Sequence, residues 1–375
     1  MTEGMRVKRQ EKRTRVKNRK TKTYKMKGAG INMKTNMVYG VDLGWLTQLE
    51  ERGIHWVDQD KKETEPLAAM KAMGADAVRL RIFVNPPEDA YWQKNETTLC
   101  MLGFCDAQSV LEMSKRVKAA DMKLMLDFHY SDHFADPQYQ DIPEAWINDD
   151  AEQLTKRVYE HTKEVMTLFV ENDIRPAWVQ VGNEINPGLL LPMGSRTEHP
   201  EQMAAFLNAG YDAVKECCPE CQVITHLSCG TYPEICDPFW KVFFENGGKT
   251  DILGISHYPY WDDMIAQHGG KKPTELLYNP LVYYADRYGK PVMVVEVGGP
   301  ETDEKGTYDL LMDTMEAVRQ VPDGQGLGVF YWEPEVGAAI LPDQYPLGAA
   351  SALDEHTIQF TKALSAYKAF KEQHS

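Results

Sequence analysis

Val179-Gln180-Val181-Gly182-Asn183-Glu184 and Val292-Met293-Val294-Val295-Glu296 are two short apolar runs, each ending in a glutamate. Runs of this kind, apolar almost throughout, read as parallel strands buried on both faces. Working outward, the first belongs to a strand at Trp178–Val181 and the second to one at Val292–Glu296. Six more runs share the pattern: Val38–Asp42, Ala75–Arg81, Lys123–Phe128, Gln222–His226, Ile252–Ser256 and Leu327–Trp332. Between them lie stretches with helical spacing: Lys62–Met73, Gln108–Ala120, Ala151–Asn172, Gln202–Cys217, Pro233–Asn246, Thr274–Tyr288, Tyr308–Gln320 and Thr357–Glu372. In the second of these, Val110, Leu111, Met113 and Val117 fall on one helical face. Eight strand–helix alternations predict an α/β fold, a single-domain (β/α)8 TIM barrel. No strand runs into a Gly-x-Gly-x-x-Gly turn, so an open dinucleotide-binding sheet has no support.

The polar residues fall where such a barrel would use them. Arg81, Asp127, His129, Asn183, Glu184, His226, His257, Tyr258, Glu296, Trp332 and Glu333 all sit at or just past strand C-termini. A barrel builds its active site at that rim from the ends of several strands.

Charge narrows the partners. The first 28 residues hold twelve Lys/Arg against Glu3 and Glu11, so the net charge of −15 divides into +10 there and −25 over the remainder. A body that acidic does not hold nucleic acid unaided and suits a neutral polymer better than a polyuronate. Residues 1–32 read as a basic disordered tail, and 33–375 as the catalytic barrel, with Met33 or Met37 near the start of the fold. The tail has no apolar core of a secretory signal, so localisation stays open. No apolar run is long enough to span a bilayer, so no transmembrane segment is expected. Seven cysteines are present, among them Cys217-Cys218-Pro219-Glu220-Cys221. A structural zinc site wants a second ligand pair that is missing, so the expectation is no metal and reduced structural thiols, with one or two disulfides as the alternative.

Two carboxylates at a barrel mouth are the chemistry of glycoside hydrolysis. One acid protonates the leaving oxygen and the other carboxylate attacks the anomeric carbon. Glu184 is read as the acid/base and Glu296 as the nucleophile, with the Asn183 amide reaching a sugar 2-hydroxyl. In Arg79-Leu80-Arg81 the two arginines are read as turning to opposite sides of the strand. Arg81, nearer the rim, is expected to hold the nucleophile ionised, and Arg79 to be a structural ion-pair partner. His129 is read as a hydroxyl contact supported by Asp127, with His226, His257, Tyr258, Trp261 and Trp332 completing the substrate site. Trp and Tyr rings at a cleft bind the apolar C–H faces of sugars.

These residues resemble glycoside hydrolase family 53, the arabinogalactan endo-β-1,4-galactanases of clan A. The resemblance rests on Gly40-Val41-Asp42, Val78-Arg79-Leu80-Arg81, Leu126-Asp127-Phe128-His129-Tyr130-Ser131-Asp132, Gly182-Asn183-Glu184, Ser256-His257-Tyr258-Pro259-Tyr260-Trp261, Val295-Glu296 and Gly328-Val329-Phe330-Tyr331-Trp332-Glu333-Pro334. It implies retaining endo-hydrolysis of β-1,4-galactan, a pectin side chain, with no cofactor and a polysaccharide as the partner of a monomer. It also implies export, as is usual in the family. His257 stands where the family commonly has Tyr. The stretch Val297–Asp309 lacks the long loop that carries calcium in some bacterial relatives, so no calcium is expected. The short Glu335–Leu353 loop predicts an open distal cleft. Other readings are a different clan A activity, such as a mannanase or xylanase, a non-catalytic carbohydrate-binding barrel, and a nucleic-acid-binding tail.

Overall fold

The computed structural model describes residues 37–261 and 271–375. The basic segment 1–32 lies outside the described residues. Eight parallel strands form the centre: β1 (Val38–Asp42), β2 (Ala77–Ile82), β3 (Lys123–Phe128), β4 (Trp178–Val181), β5 (Gln222–Leu227), β6 (Ile252–His257), β7 (Val292–Val297) and β8 (Gly326–Tyr331). They close in the order β1-β8-β7-β6-β5-β4-β3-β2, each strand beside its sequence neighbours. This is a (β/α)8 TIM barrel, with helices such as Ala107–Ala119, Ala151–Glu171 and Pro200–Cys217 between the strands.

The barrel interior is layered. Val38, Ala77, Met125, Trp178, Ile224, Ile252, Met293, Val295 and Phe330 fill the lower part as one buried apolar cluster. Gly40 pairs with Phe330 in the sheet, and a Cβ there would stand 2.1 Å from the Phe330 ring. Only glycine fits beside that plug. Above it the interior turns polar: Asp42, Arg79, Asp127, Gln180, His226 and Glu296 are all buried. A second, larger core lies between barrel and helices and holds most of the remaining Leu, Val, Ile and Phe side chains.

The structure departs from the sequence expectations at the helix starts and near the C-terminus. The expected helix Thr357–Glu372 is a strand, Thr357–Phe360, then a turn at Ala363–Ser365 and a helix at Ala366–Gln373. Thr357-Ile358-Gln359-Phe360 alternates with period two, and Ile358 and Phe360 are the buried members. That strand joins Ala350–Ala352, His55–Val57 and Glu63–Thr64 in a small sheet beside the barrel. The helix expected from Lys62 starts at Pro66, where the Glu65 side chain caps it by accepting from the Ala68 N–H at 2.7 Å. Cys218 and Cys221 are joined in a disulfide, against the expectation of reduced thiols throughout. The cluster lies where the chain folds back from helix Pro200–Cys217 into β5, which brings the two Cα atoms to 5.4 Å.

Candidate active site

Glu184 and Glu296 both line one cleft of about 770 Å³ at the C-terminal rim. Glu184 follows β4 through Gly182 and Asn183. Gly182 takes φ +83° and Glu184 itself φ +47°, a left-handed turn that swings the carboxyl into the mouth. Its Oε1 accepts from the Ser256 hydroxyl at 2.6 Å, and among the described residues no cation is paired with it. Burial, with the nearby Glu296 carboxylate adding to it, pushes the Glu184 carboxyl up to about 8.

Glu296 lies within β7 and is 6% exposed. Its Oε1 is 3.0 Å from Arg79 Nη1, and its Oε2 accepts from the Tyr258 hydroxyl at 3.0 Å. Burial raises this carboxyl above its ordinary value, while Arg79 and Tyr258 work against the rise. The two carboxyls therefore differ in kind. One is held by a guanidinium and a phenol, which favour the anion; the other has a lone hydroxyl and keeps its proton.

The arginine at Glu296 is Arg79, which corrects the expectation for Arg81. Residues i and i+2 share a strand face, so both arginines turn inward and position along the strand separates them. Arg79 Nη1 also meets Asp42 Oδ2 at 2.6 Å, and its Nη2 meets Asp127 Oδ2 and Asn183 Oδ1, each at 2.8 Å. Arg81, one step nearer the rim, is instead paired with buried Glu333 and donates to the Leu102 carbonyl at 2.8 Å. Glu333 also accepts from the Gly44 and Trp45 N–H groups at 2.9 and 3.2 Å. That ion pair thus fixes Trp45, which meets Trp332 edge-on at 5.0 Å; Trp332 in turn meets Tyr345 at 4.7 Å. All three rings line the cleft.

Comparison with known proteins gives the family. The family described as glycosyl hydrolase family 53 matches residues 38–370. The chain belongs to that family. It is a glycoside hydrolase. It is 31% identical over 319 residues to a probable arabinogalactan endo-β-1,4-galactanase A of Aspergillus terreus, covering 79% of this chain and 84% of that one. To the arabinogalactan endo-β-1,4-galactanase of Cellvibrio japonicus it is 30% identical over 333 residues, 81% of this chain and 82% of the relative. A fungal β-1,4-galactanase structure superposes with a TM-score of 0.75 at 24% identity, covering 88% of this chain and 99% of that one.

The remaining expected residues of this family 53 glycosidase divide into cleft and support. Asn183, Tyr258, Trp261 and Trp332 line the cleft. The Asn183 amide nitrogen donates to the Ala135 carbonyl at 2.8 Å, leaving one hydrogen for a ligand. Trp261, 57% exposed, stands at the rim. His129 lines the cleft, but both its nitrogens are committed: Nε2 to Asp127 at 3.0 Å, and Nδ1 accepting from the Ala135 N–H at 2.9 Å. It shapes the wall and has no nitrogen left for a sugar hydroxyl. Asp127 is wholly buried beneath it. Burial alone would raise its carboxyl, but Arg79 and His129 bring it below the ordinary range.

His226 and His257 are not on the cleft surface. His226 lies behind Glu184, its Nε2 at 2.8 Å from Ser256 Oγ and its Nδ1 at 3.0 Å from Gln180 Nε2. Burial holds it well below its usual range, so the ring is neutral. A proton on Nε2 lets it donate to Ser256, which then donates to Glu184. His257 bonds Thr231 Oγ1 at 3.0 Å, and burial pushes it down to about 4. Sequence reasoning did not single out Ser256, Trp45, Gln180 or Tyr345. Among the described residues no group of three His, Cys, Asp or Glu side chains is placed to hold a metal. No described helix is long and apolar enough to cross a membrane.

Proposed function

We propose that this family 53 protein is an arabinogalactan endo-β-1,4-galactanase that cleaves β-1,4-galactan with retention of configuration. The observation that carries the catalytic assignment is the unequal setting of the two carboxyls. Glu296, anionic between Arg79 and Tyr258, attacks the anomeric carbon as Glu184 gives its proton to the leaving glycosidic oxygen. The sugar is then held as an ester on Glu296. Glu184, now a carboxylate, takes a proton from water; the water oxygen attacks the anomeric carbon, and Glu296 departs as the free carboxylate. Charge supports a neutral polymer: four acids and a single lysine are among the cleft-lining residues. The names of the relatives from Aspergillus terreus and Cellvibrio japonicus support galactan over other neutral chains. The barrel carries this activity as one monomeric domain, and the basic segment 1–32 is dispensable to it.

The test is reducing-sugar release from debranched β-1,4-galactan by the native protein, Glu184→Ala and Glu296→Ala. Release of short galacto-oligosaccharides, abolished in both variants, is expected, with the β-anomer appearing first by proton NMR. Cleavage of mannan or xylan but not galactan would overturn the substrate. An α-anomer appearing first would overturn retention.

A further inference from the structure

One part of the cleft has no place in the chemistry just described. Between β2 and its helix the chain makes an antiparallel hairpin, Tyr91–Gln93 with Leu99–Met101, in which Trp92 faces Cys100. Cross-strand partners share a face, and both residues line the cleft. The hairpin is tied firmly to the barrel. Met101 is fully buried, its carbonyl accepts from Trp45 Nε1 at 2.6 Å, and Gln48 Nε2 reaches the Ala90 carbonyl at 3.2 Å.

Trp92 is held as a rigid plate. Its ring stacks on His133 with centroids 4.0 Å apart and planes 2° from parallel, and Tyr139 meets it edge-on at 5.1 Å. His133 is itself anchored, Nδ1 to the Phe134 carbonyl at 3.0 Å and Nε2 to Asp141 at 3.3 Å. Beside the plate, Lys94 pairs with Asp136 at 3.2 Å, both side chains about a quarter exposed at 28% and 27%. Among the described residues lining the cleft Lys94 is the one lysine or arginine, and Asp136 pairs with it. A fixed aromatic ring next to a neutralised, water-accessible pair of donor and acceptor matches a pyranose, which offers an apolar C–H face and a ring of hydroxyls.

We propose that this hairpin builds a distal subsite in which Trp92 carries one neutral pyranose unit of a bound chain and the Lys94–Asp136 pair engages its hydroxyls. The inference rests on the galactanase reading for the identity of that sugar. The station is made by loops after β2 and β3, and none of Trp92, Lys94 or His133 touches Glu184 or Glu296. Through Trp92 and Lys94 it acts on the grip of long chains, while the charge of Asp136 adds to the rise of the Glu184 carboxyl.

The test is calorimetric binding of β-1,4-galactohexaose and galactobiose to the Glu296→Gln protein, with and without Trp92→Ala or Lys94→Ala. The expected result is about a tenfold or greater loss of hexaose affinity for Trp92→Ala. Lys94→Ala should give a smaller loss in the same direction, and galactobiose should move by much less than hexaose in both. Lys94→Ala keeps the question open to measurement if Trp92→Ala fails to fold. Hexaose affinity unchanged in folded variants, or an equal loss for both ligands, overturns the subsite while galactan cleavage by the native protein still stands. A native protein that does not cut galactan overturns the galactanase reading, and the sugar assigned to this subsite falls with it.

Discussion

Nη1 of Arg79 stands 3.0 Å from Oε1 of Glu296 and 2.6 Å from Oδ2 of Asp42, so one nitrogen serves the candidate nucleophile and a second buried acid. Burial raises the Asp42 carboxyl well above its ordinary range, with Arg79 opposing that rise. The guanidinium thus faces three acids, Asp42, Asp127 and Glu296, through a planar fork that a lysine cannot reproduce. Arg79→Lys should lower kcat for galactan by roughly 10²–10³-fold, the scale for losing one fixed donor at a charged centre. Arg81→Lys should lower the melting temperature and move kcat less, because its partner is Glu333. Steady-state kinetics and thermal unfolding of both variants give the comparison. If Arg81→Lys proves the more damaging to kcat, Arg79 has been given the wrong role.

The proposed acid role requires Glu184 protonated, and its carboxyl is pushed up to about 8. The pH profile of kcat/KM should therefore fall as pH rises through about 8, and Glu184→Gln should abolish that limb together with most of the activity. Part of the elevation comes from the charge on Glu296. Glu296→Gln removes that charge, so Glu184 should titrate at lower pH, measurable by NMR of labelled glutamate carboxyls. No change would mean the two groups are electrostatically independent.

The same shift fixes a stability sign. A carboxyl raised in the folded state binds its proton more tightly there than in the unfolded chain. Its contribution is full below the ordinary value of 4.5 and is lost as pH rises through about 8. The melting temperature of the native protein should thus fall relative to Glu184→Gln between these limits. Parallel curves for the two proteins across that window would contradict the raised value.

Ser256 offers a finer test of the same carboxyl. Its hydroxyl, fed by His226 from behind, donates to Glu184 at 2.6 Å. A bond to the charged form favours ionisation, so Ser256→Ala should move the alkaline limb upward. Downward movement would mean the serine chiefly serves the protonated acid.

What could be read from the chain divides along physical lines. The eight strands were visible because burial on both faces leaves near-continuous apolar runs. The two glutamates stood out because a charge at the end of such a run needs a reason. Arg79 was harder to place. Its neighbour Arg81 sits nearer the rim, and both point inward, so only the height that the register of β2 against β1 and β3 gives each one decides which reaches Glu296 across the barrel. His226 and His257 look like site residues in sequence, since strand ends mark the rim. His257 alternates with inward-facing Ser256 and so turns to Thr231, while His226 is covered by Ser256 and Gln180. Ser256 carries no signal of its own; its value comes from standing opposite Glu296 in the β6–β7 register, within reach of Glu184. The strand Thr357–Phe360 was misread as helix because it is short and sits between a three-residue strand, Ala350–Ala352, and the sequence-distant His55–Val57.

The disulfide can be tested by counting. Cys218 and Cys221 are fully buried, and the bond closes a loop of sequence separation 3. Cys100, Cys105, Cys217, Cys229 and Cys236 remain outside it. Unfolding in denaturant with an alkylating agent and no reductant should add five labels, rising to seven after reduction. Seven labels without reductant would mean the bond is not formed. So short a loop withdraws little freedom from the unfolded chain, about 2 kcal/mol on the chain-entropy account. Cys218→Ser combined with Cys221→Ser should therefore lower the melting temperature by a few degrees and leave galactan hydrolysis intact. The bond lies at the foot of β5, where the Cys221 sulfur approaches the Pro176 carbonyl at 2.9 Å. Glu184 and Glu296 sit at the opposite, C-terminal end of the strands. A loss of activity larger than the loss of folded protein would show that strain at the foot of the barrel reaches its mouth.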